Sequence, residues 1–346
     1  MSFNRDIRVG TSVPRLARII KSTKTKLLYP SYELRNILAL ANNWVISTCA
    51  IYSLSYSAAR AATKKVVARV GSATPMTWHT LLTMKIQLHP SVHFRLISGD
   101  VLLLLTVLLV LLYTALNGMS WSVSSGWLSS DSICDWAGVL CIDDIFAGQT
   151  VRSLSLINIG LSGTLPTEIA LFPSLRNLDL SSNTLMGPIP SQIGSLNELA
   201  TLNLQQNRFS GSIPTALSSL STLEVLEIGF NLLTNKIPTE LGQLSSLTRL
   251  SLEQNSHLGT IPTELGRLQN LLELVLNDCS LLGKIPTSIG AMTSLEKLWL
   301  EANFLTDIPT EIGNLSQLRL VSISRNEGLG ELPSEIGNLS NLGEYI

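Results

Sequence analysis

From residue 151 onward the apolar positions recur in a fixed frame. "LRNLDLSSNTLMGPIPSQIGSLNE" (175–198) and "LATLNLQQNRFSGSIPTALSSLST" (199–222) superpose with a period of 24 residues, the mark of a stack of supersecondary units. The units start at Val151, Leu175, Leu199, Leu223, Leu247, Leu271, Leu295 and Leu318, giving eight repeats, one of them a residue short, and a truncated ninth from Leu342. Within each, the opening L-x-x-L-x-L alternates in and out and predicts a short strand buried on one side. Leu178 and Leu180 face in, whereas Asp179 and Ser181 face out. Later positions such as Leu185, Ile189, Ile193 and Leu196 bring the chain back over the core. A proline column (Pro166, Pro190, Pro214, Pro238, Pro262, Pro286, Pro309, Pro333) bars a regular helix from that return limb, which predicts an extended or 3₁₀ convex side. One unit cannot cover its own apolar face, so the units must stack.

A different pattern precedes the repeats. "VLLLLTVLLVLLYTAL" (Val101–Leu116) carries no charge and is apolar on every face, without a stripe to meet water. Extended to residues 98–119, it predicts a transmembrane helix of about 20 residues. Lys85 and Arg95 lie before it and the next basic residue is Arg152, so the N-terminal side is expected in the cytoplasm and the repeats outside or in a lumen. The run reads as a signal anchor, or as a signal peptide starting at Met76 or Met84. A second uncharged stretch, Ile37–Ala59, is interrupted by Asn42, Asn43 and several serines, which weakens it as a span.

Charge divides the chain at the same place. Residues 1–100 carry 14 Lys and Arg against three acids, a balance of +11, and the remainder sums to −12 within a net charge of −1. The basic segment 1–97 is rich in Ser, Thr and Ala and poor in acids, which predicts a disordered or transit-like tail.

The repeats resemble the plant-type leucine-rich repeat, L-x-x-L-x-L-x-x-N-x-L-x-G-x-I-P-x-x-L-G-x-L-x-x, and the resemblance covers residues 151–346. Just upstream, "CDWAGVLC" (134–141), with Trp121 and Trp127 before it, is similar to the C-x-W-x-G-V-x-C cap of plant receptor-like proteins; residues 120–150 are assigned to this cap. The resemblance implies an α/β-class horseshoe solenoid with parallel strands on the concave face. It also implies a disulfide between Cys134 and Cys141, an export route, and a receptor-like protein without a kinase domain. Physically, a cap shields the open apolar end of a solenoid. The sequence departs from the family at its end, "NLGEYI", where no C-terminal cap or kinase region follows; this reads as a fragment or as a coil covered by something else.

Stacked strands about 4.8 Å apart spread eight repeats over roughly 34 Å, wide enough for a peptide or protein ligand. Most outward strand positions are Ser, Asn, Gln or Thr. Glu227, Phe230, Arg249, Glu253, Glu273, Asp278, Trp299, Glu301 and Arg325 break that monotony and are the candidate contact residues, since aromatics and Arg dominate interface hot spots. The bland alternative is that Trp299 packs on Val275, one repeat earlier in the same column. The acidity of the repeats favours a basic or polar partner, and nucleic acid is not expected. Two sequons, Asn314-Leu-Ser316 and Asn338-Leu-Ser340, are candidate glycosylation sites on export.

No Ser/His/Asp or Cys/His set and no C-x-x-C pair is visible, so neither catalysis, nor a cofactor, nor a metal is implied. Cys279 falls in the ninth column, otherwise filled by Asn183, Asn207, Asn231, Asn255, Asn303 and Asn326. It lies about 24 Å from Cys134 and Cys141 by repeat spacing, beyond disulfide reach, and reads as a buried register mark. The leading function is a membrane-anchored extracellular recognition protein, binding a peptide or protein and relaying through a partner such as a kinase-bearing co-receptor. The alternatives are a secreted inhibitor of a foreign hydrolase and an intracellular scaffold.

Overall fold

The structure, a computed structural model, describes residues 98–129, 131–144, 148–256 and 259–345. The chain divides into two units, Met1–Met84 and Lys85–Ile346, and the described residues all belong to the second. The basic tail and the Ile37–Ala59 stretch lie outside them.

Among the described residues a ten-stranded sheet forms the concave side of a solenoid. It opens with an antiparallel pair, β1 (Val139–Asp144) and β2 (Gly148–Ser155). Parallel strands follow, one per repeat, from Asn177–Asp179 to Glu344–Tyr345. Each pairs with the next in register at one repeat's offset, as in Arg249 opposite Glu273 and Trp299 opposite Ser322. The inward leucines Leu178, Leu202, Leu226, Leu250, Leu274 and Leu298 are fully buried, and stacking them removes from water an apolar face that no single unit could hide.

The proline column acts as expected. Each proline sits in an extended conformation, as at Pro190 (φ −64°) and Pro309 (φ −74°), and starts a five-residue 3₁₀ segment such as Ser191–Ser195 or Thr310–Asn314. Second, narrower sheets run beside it: four strands from Ser162–Thr164 to Leu232–Leu233, and two strands, Leu282–Lys284 and Phe304–Asp307.

At the N-terminal end the apolar run lies beside the first repeats. The apolar run forms helix α1 (Ser98–Ala115), and among the described residues no helix is long and apolar enough to cross a membrane. Leu105, Leu108, Leu109, Leu112 and Leu116 are buried, and α1 packs on β2 and on the first 3₁₀ segment, Thr167–Leu171. The end of a solenoid is an apolar surface, and this helix is spent on covering it. In the structure helix α1 thus lies against the first repeats, with Leu105, Leu108, Leu109 and Leu112 shielded there.

An aromatic cluster joins α1 to the next segment. Tyr113, Trp121, Trp127 and Trp136 follow one another with ring centroids 4.9, 4.9 and 5.1 Å apart. Trp121 Nε1 donates to Leu116 O and Trp127 Nε1 to Ala137 O, both at 2.8 Å. Cys134 and Cys141 form a disulfide with Cα atoms 5.4 Å apart. Between them Gly138 holds φ +81°, and a Cβ there would meet Ser155 O at 2.3 Å, so the position requires glycine.

Candidate binding face

The ninth-position asparagines fix the turn that ends each concave strand. Asn183 is typical: its Nδ2 donates to the carbonyls of Leu156, Leu180 and Ser181, and its Oδ1 accepts from the backbone N–H of Ile159, Gly160 and Leu161. The residue before each is left-handed, at φ near +50° in Ser182, Gln206, Phe230, Gln254, Asp278, Ala302 and Arg325. Because this conformation recurs in every unit, it belongs to the fold, and it presents the eighth residue beside the concave strands.

Cys279 occupies the asparagine position as expected. It is fully buried, its Sγ–H donates to Leu252 O at 3.3 Å and Asn277 O at 3.4 Å, and its own N–H reaches Asn303 Oδ1 at 3.1 Å. Burial pushes the thiol up from 9.0 to about 12; the N–H of Asn255 opposes the shift, and Glu253 and Asp278 add to it. Such a thiol holds its proton at neutral pH and is a poor nucleophile.

The candidate contact residues separate into distinct environments. Arg249 Nε donates to Glu227 Oε1 at 2.6 Å and its Nη1 donates to Glu273. Burial lowers the Arg249 pKa, but the charges of Glu273 and Glu227 and their hydrogen bonds outweigh it and hold the guanidinium above its ordinary range. Lys297 Nζ lies 4.0 Å from Glu273 Oε1. The structure thus joins Glu227, Arg249 and Glu273 with a fourth member, Lys297, that the sequence reading missed. Its signal was present in the third position of the repeat, which reads Val225, Arg249, Glu273, Lys297 along successive repeats.

Glu253 stands on the concave side as expected but is covered by its neighbours. It is only 8% exposed, with Ser251 Oγ donating to it, and its carboxyl takes the space a Cβ on Gly229 would fill. Glu301 is half-buried and accepts from Ser322 Oγ at 2.9 Å. Trp299 is half-exposed, standing opposite Val275 and Ser322, both buried. Trp299 thus meets Val275 in register, as the bland alternative had it, and still presents ring surface. Phe230 is 37% exposed, and Asp278 and Arg325 are exposed at the turn. An open groove of about 1150 Å³ lies elsewhere, lined by Thr167, Pro190, Pro214, Thr215 and Pro238 beside the 3₁₀ segments. Asn314 and Asn338 are exposed at the ends of their 3₁₀ segments. Among the described residues no group of three or more His, Cys, Asp or Glu side chains is placed to hold a metal ion.

Residues 197–256 match the family described as Leucine rich repeat, and residues 174–196 and 270–292 match a second family of the same description. Residues 174–256 and 270–292 thus carry leucine-rich repeats. No curated protein sequence matches the chain. Among solved structures, that of PEPR1–AtPEP1 is 32% identical, covering 68% of this chain and 37% of that one, with a TM-score of 0.60. The Arabidopsis receptor kinase HAESA, in complex with the peptide hormone IDA and the co-receptor SERK1, is 29% identical, covering 69% of this chain and 44% of that one, with a TM-score of 0.54. The chain therefore spans less than half the length of either relative. A plant ice-binding protein, 23% identical over 70% of this chain and 94% of its own with a TM-score of 0.54, shares the fold.

Proposed function

We propose that this leucine-rich-repeat protein is a recognition protein of the exported, receptor-like kind. It binds a peptide or protein segment along the concave face and relays the event through a partner such as a kinase-bearing co-receptor. The observation that carries the reading is the composition of that face. Over five successive repeats its positions change from small polar groups to charged and aromatic ones, held in a rigid register. Rigid presentation lowers the ordering cost of binding, and aromatic residues supply most of the energy at such surfaces. The solved complexes of PEPR1 with AtPEP1 and of HAESA with a peptide hormone and a co-receptor support it by likeness. The proposed residues act by contact and perform no chemistry.

Export is the part of the proposal that the Cys134–Cys141 disulfide supports, since disulfides persist in oxidising compartments. The test is to express the full chain in eukaryotic cells and measure glycosidase sensitivity and free thiols. The expected result is a mobility shift on deglycosylation, abolished in the variant N314Q/N338Q, with Cys134 and Cys141 blocked to alkylation until reduced. An unglycosylated chain with both thiols free would overturn export and favour the intracellular scaffold.

A further inference from the structure

The ionic residues of the concave face form two groups. Glu227, Arg249, Glu273 and Lys297 make a chain of alternating charge whose members satisfy one another. Glu253, Asp278 and Glu301, from three successive repeats, form no ion pair among the described residues. Their partners are neutral: Ser251 Oγ on Glu253, Gln254 Nε2 at 3.5 Å from Asp278, and Ser322 Oγ on Glu301. These partners orient the carboxylates without cancelling their charge. Glu301 follows Trp299 by two residues, so the two share the concave side. Trp299 has Val275 and Ser322 as its buried neighbours in register, which leaves the ring as the bulkiest group of that column.

An aromatic face beside uncompensated carboxylates is complementary to an ammonium or guanidinium group, through cation–π attraction and charge-assisted hydrogen bonds. Phe230, the other exposed aromatic of this face, lies three repeats earlier, about 14 Å along the stack, which an extended peptide crosses in roughly four residues. We infer that the concave sheet face receives an extended peptide with a basic side chain over Trp299, met by Glu301 and Asp278, and an apolar side chain about four positions away on Phe230. The inference rests on the reading of this face as the binding surface and adds the chemical class of the ligand.

A randomised library of ten-residue peptides, selected on the immobilised full chain, tests it. The expected result is enrichment of Arg or Lys at one position and of an apolar residue about four positions away. Affinity of a selected peptide should fall about tenfold or more in W299A and E301Q, stay closer to wild type in W299F, and be unchanged in E264Q on the convex side. The isosteric E301Q and the ring-retaining W299F guard against a misfolded variant. Selected peptides that are acidic or uncharged yet sensitive to W299A would overturn the basic-ligand inference and leave the concave reading standing. Peptides indifferent to W299A, F230A and E301Q, or no binder at all, would overturn both.

Discussion

Cys279 replaces an amide that both donates and accepts with a thiol that mainly donates. In neighbouring repeats the Oδ1 of the asparagine holds backbone N–H groups, as Asn303 holds those of Cys279 and Leu281. Restoring that acceptor with C279N should stabilise the fold by about 1 kcal/mol in urea unfolding and leave peptide binding unchanged; loss of binding would reopen a chemical role for the thiol. The two proteins should also differ in alkaline stability. Above pH 9.0 the unfolded thiol ionises while the folded one keeps its proton to about 12. The wild type therefore binds more protons when folded and loses stability relative to C279N as pH rises through that window. A constant difference between the two from pH 8 to pH 11 would contradict the buried, protonated thiol. The identity of this site was legible because six asparagines share its column. The burial of Glu253 was not, because it depends on the absence of a side chain at Gly229 in the preceding repeat, a contact that alternation within one strand does not encode.

At the scale of elements, the strands, the 3₁₀ segments and the disulfide were legible, because period, proline chemistry and motif each constrain them locally. The packing of helix α1 on the repeats was not legible, for a physical reason. A helix apolar on all faces satisfies a bilayer and a protein interior equally, and the surface it meets in the structure begins more than thirty residues later, in β2. The structural placement predicts that L109D, which puts a charge at a fully buried position, destabilises the repeat domain by about 3 kcal/mol or more, read as a lower thermal midpoint. A midpoint unchanged by L109D would contradict the packing of α1 on the solenoid. Likewise G138A should lower the midpoint, since φ +81° and the approach of Ser155 O leave no room for a methyl group. Reduction of the Cys134–Cys141 bridge should cost about 2–3 kcal/mol.

Across the whole molecule, stacking turns a 24-residue pattern into a surface on which residues far apart in sequence become neighbours. Glu227 and Lys297 belong to different repeats and are linked only through Arg249 and Glu273. The sequence columns therefore located the face and most of its distinctive residues. What they lacked was the pairing between columns, which separates a self-neutralised ion chain from carboxylates left without a cation. The central claim is that this face, across repeats four to eight, is where a ligand binds. The most direct measurement is cross-linking of the full chain with a photoreactive form of the tightest selected peptide, followed by mapping of the attachment sites. The account predicts attachment at or beside Phe230, Asp278, Trp299 and Arg325; attachment confined to the 3₁₀ segments or to the second sheets would contradict it.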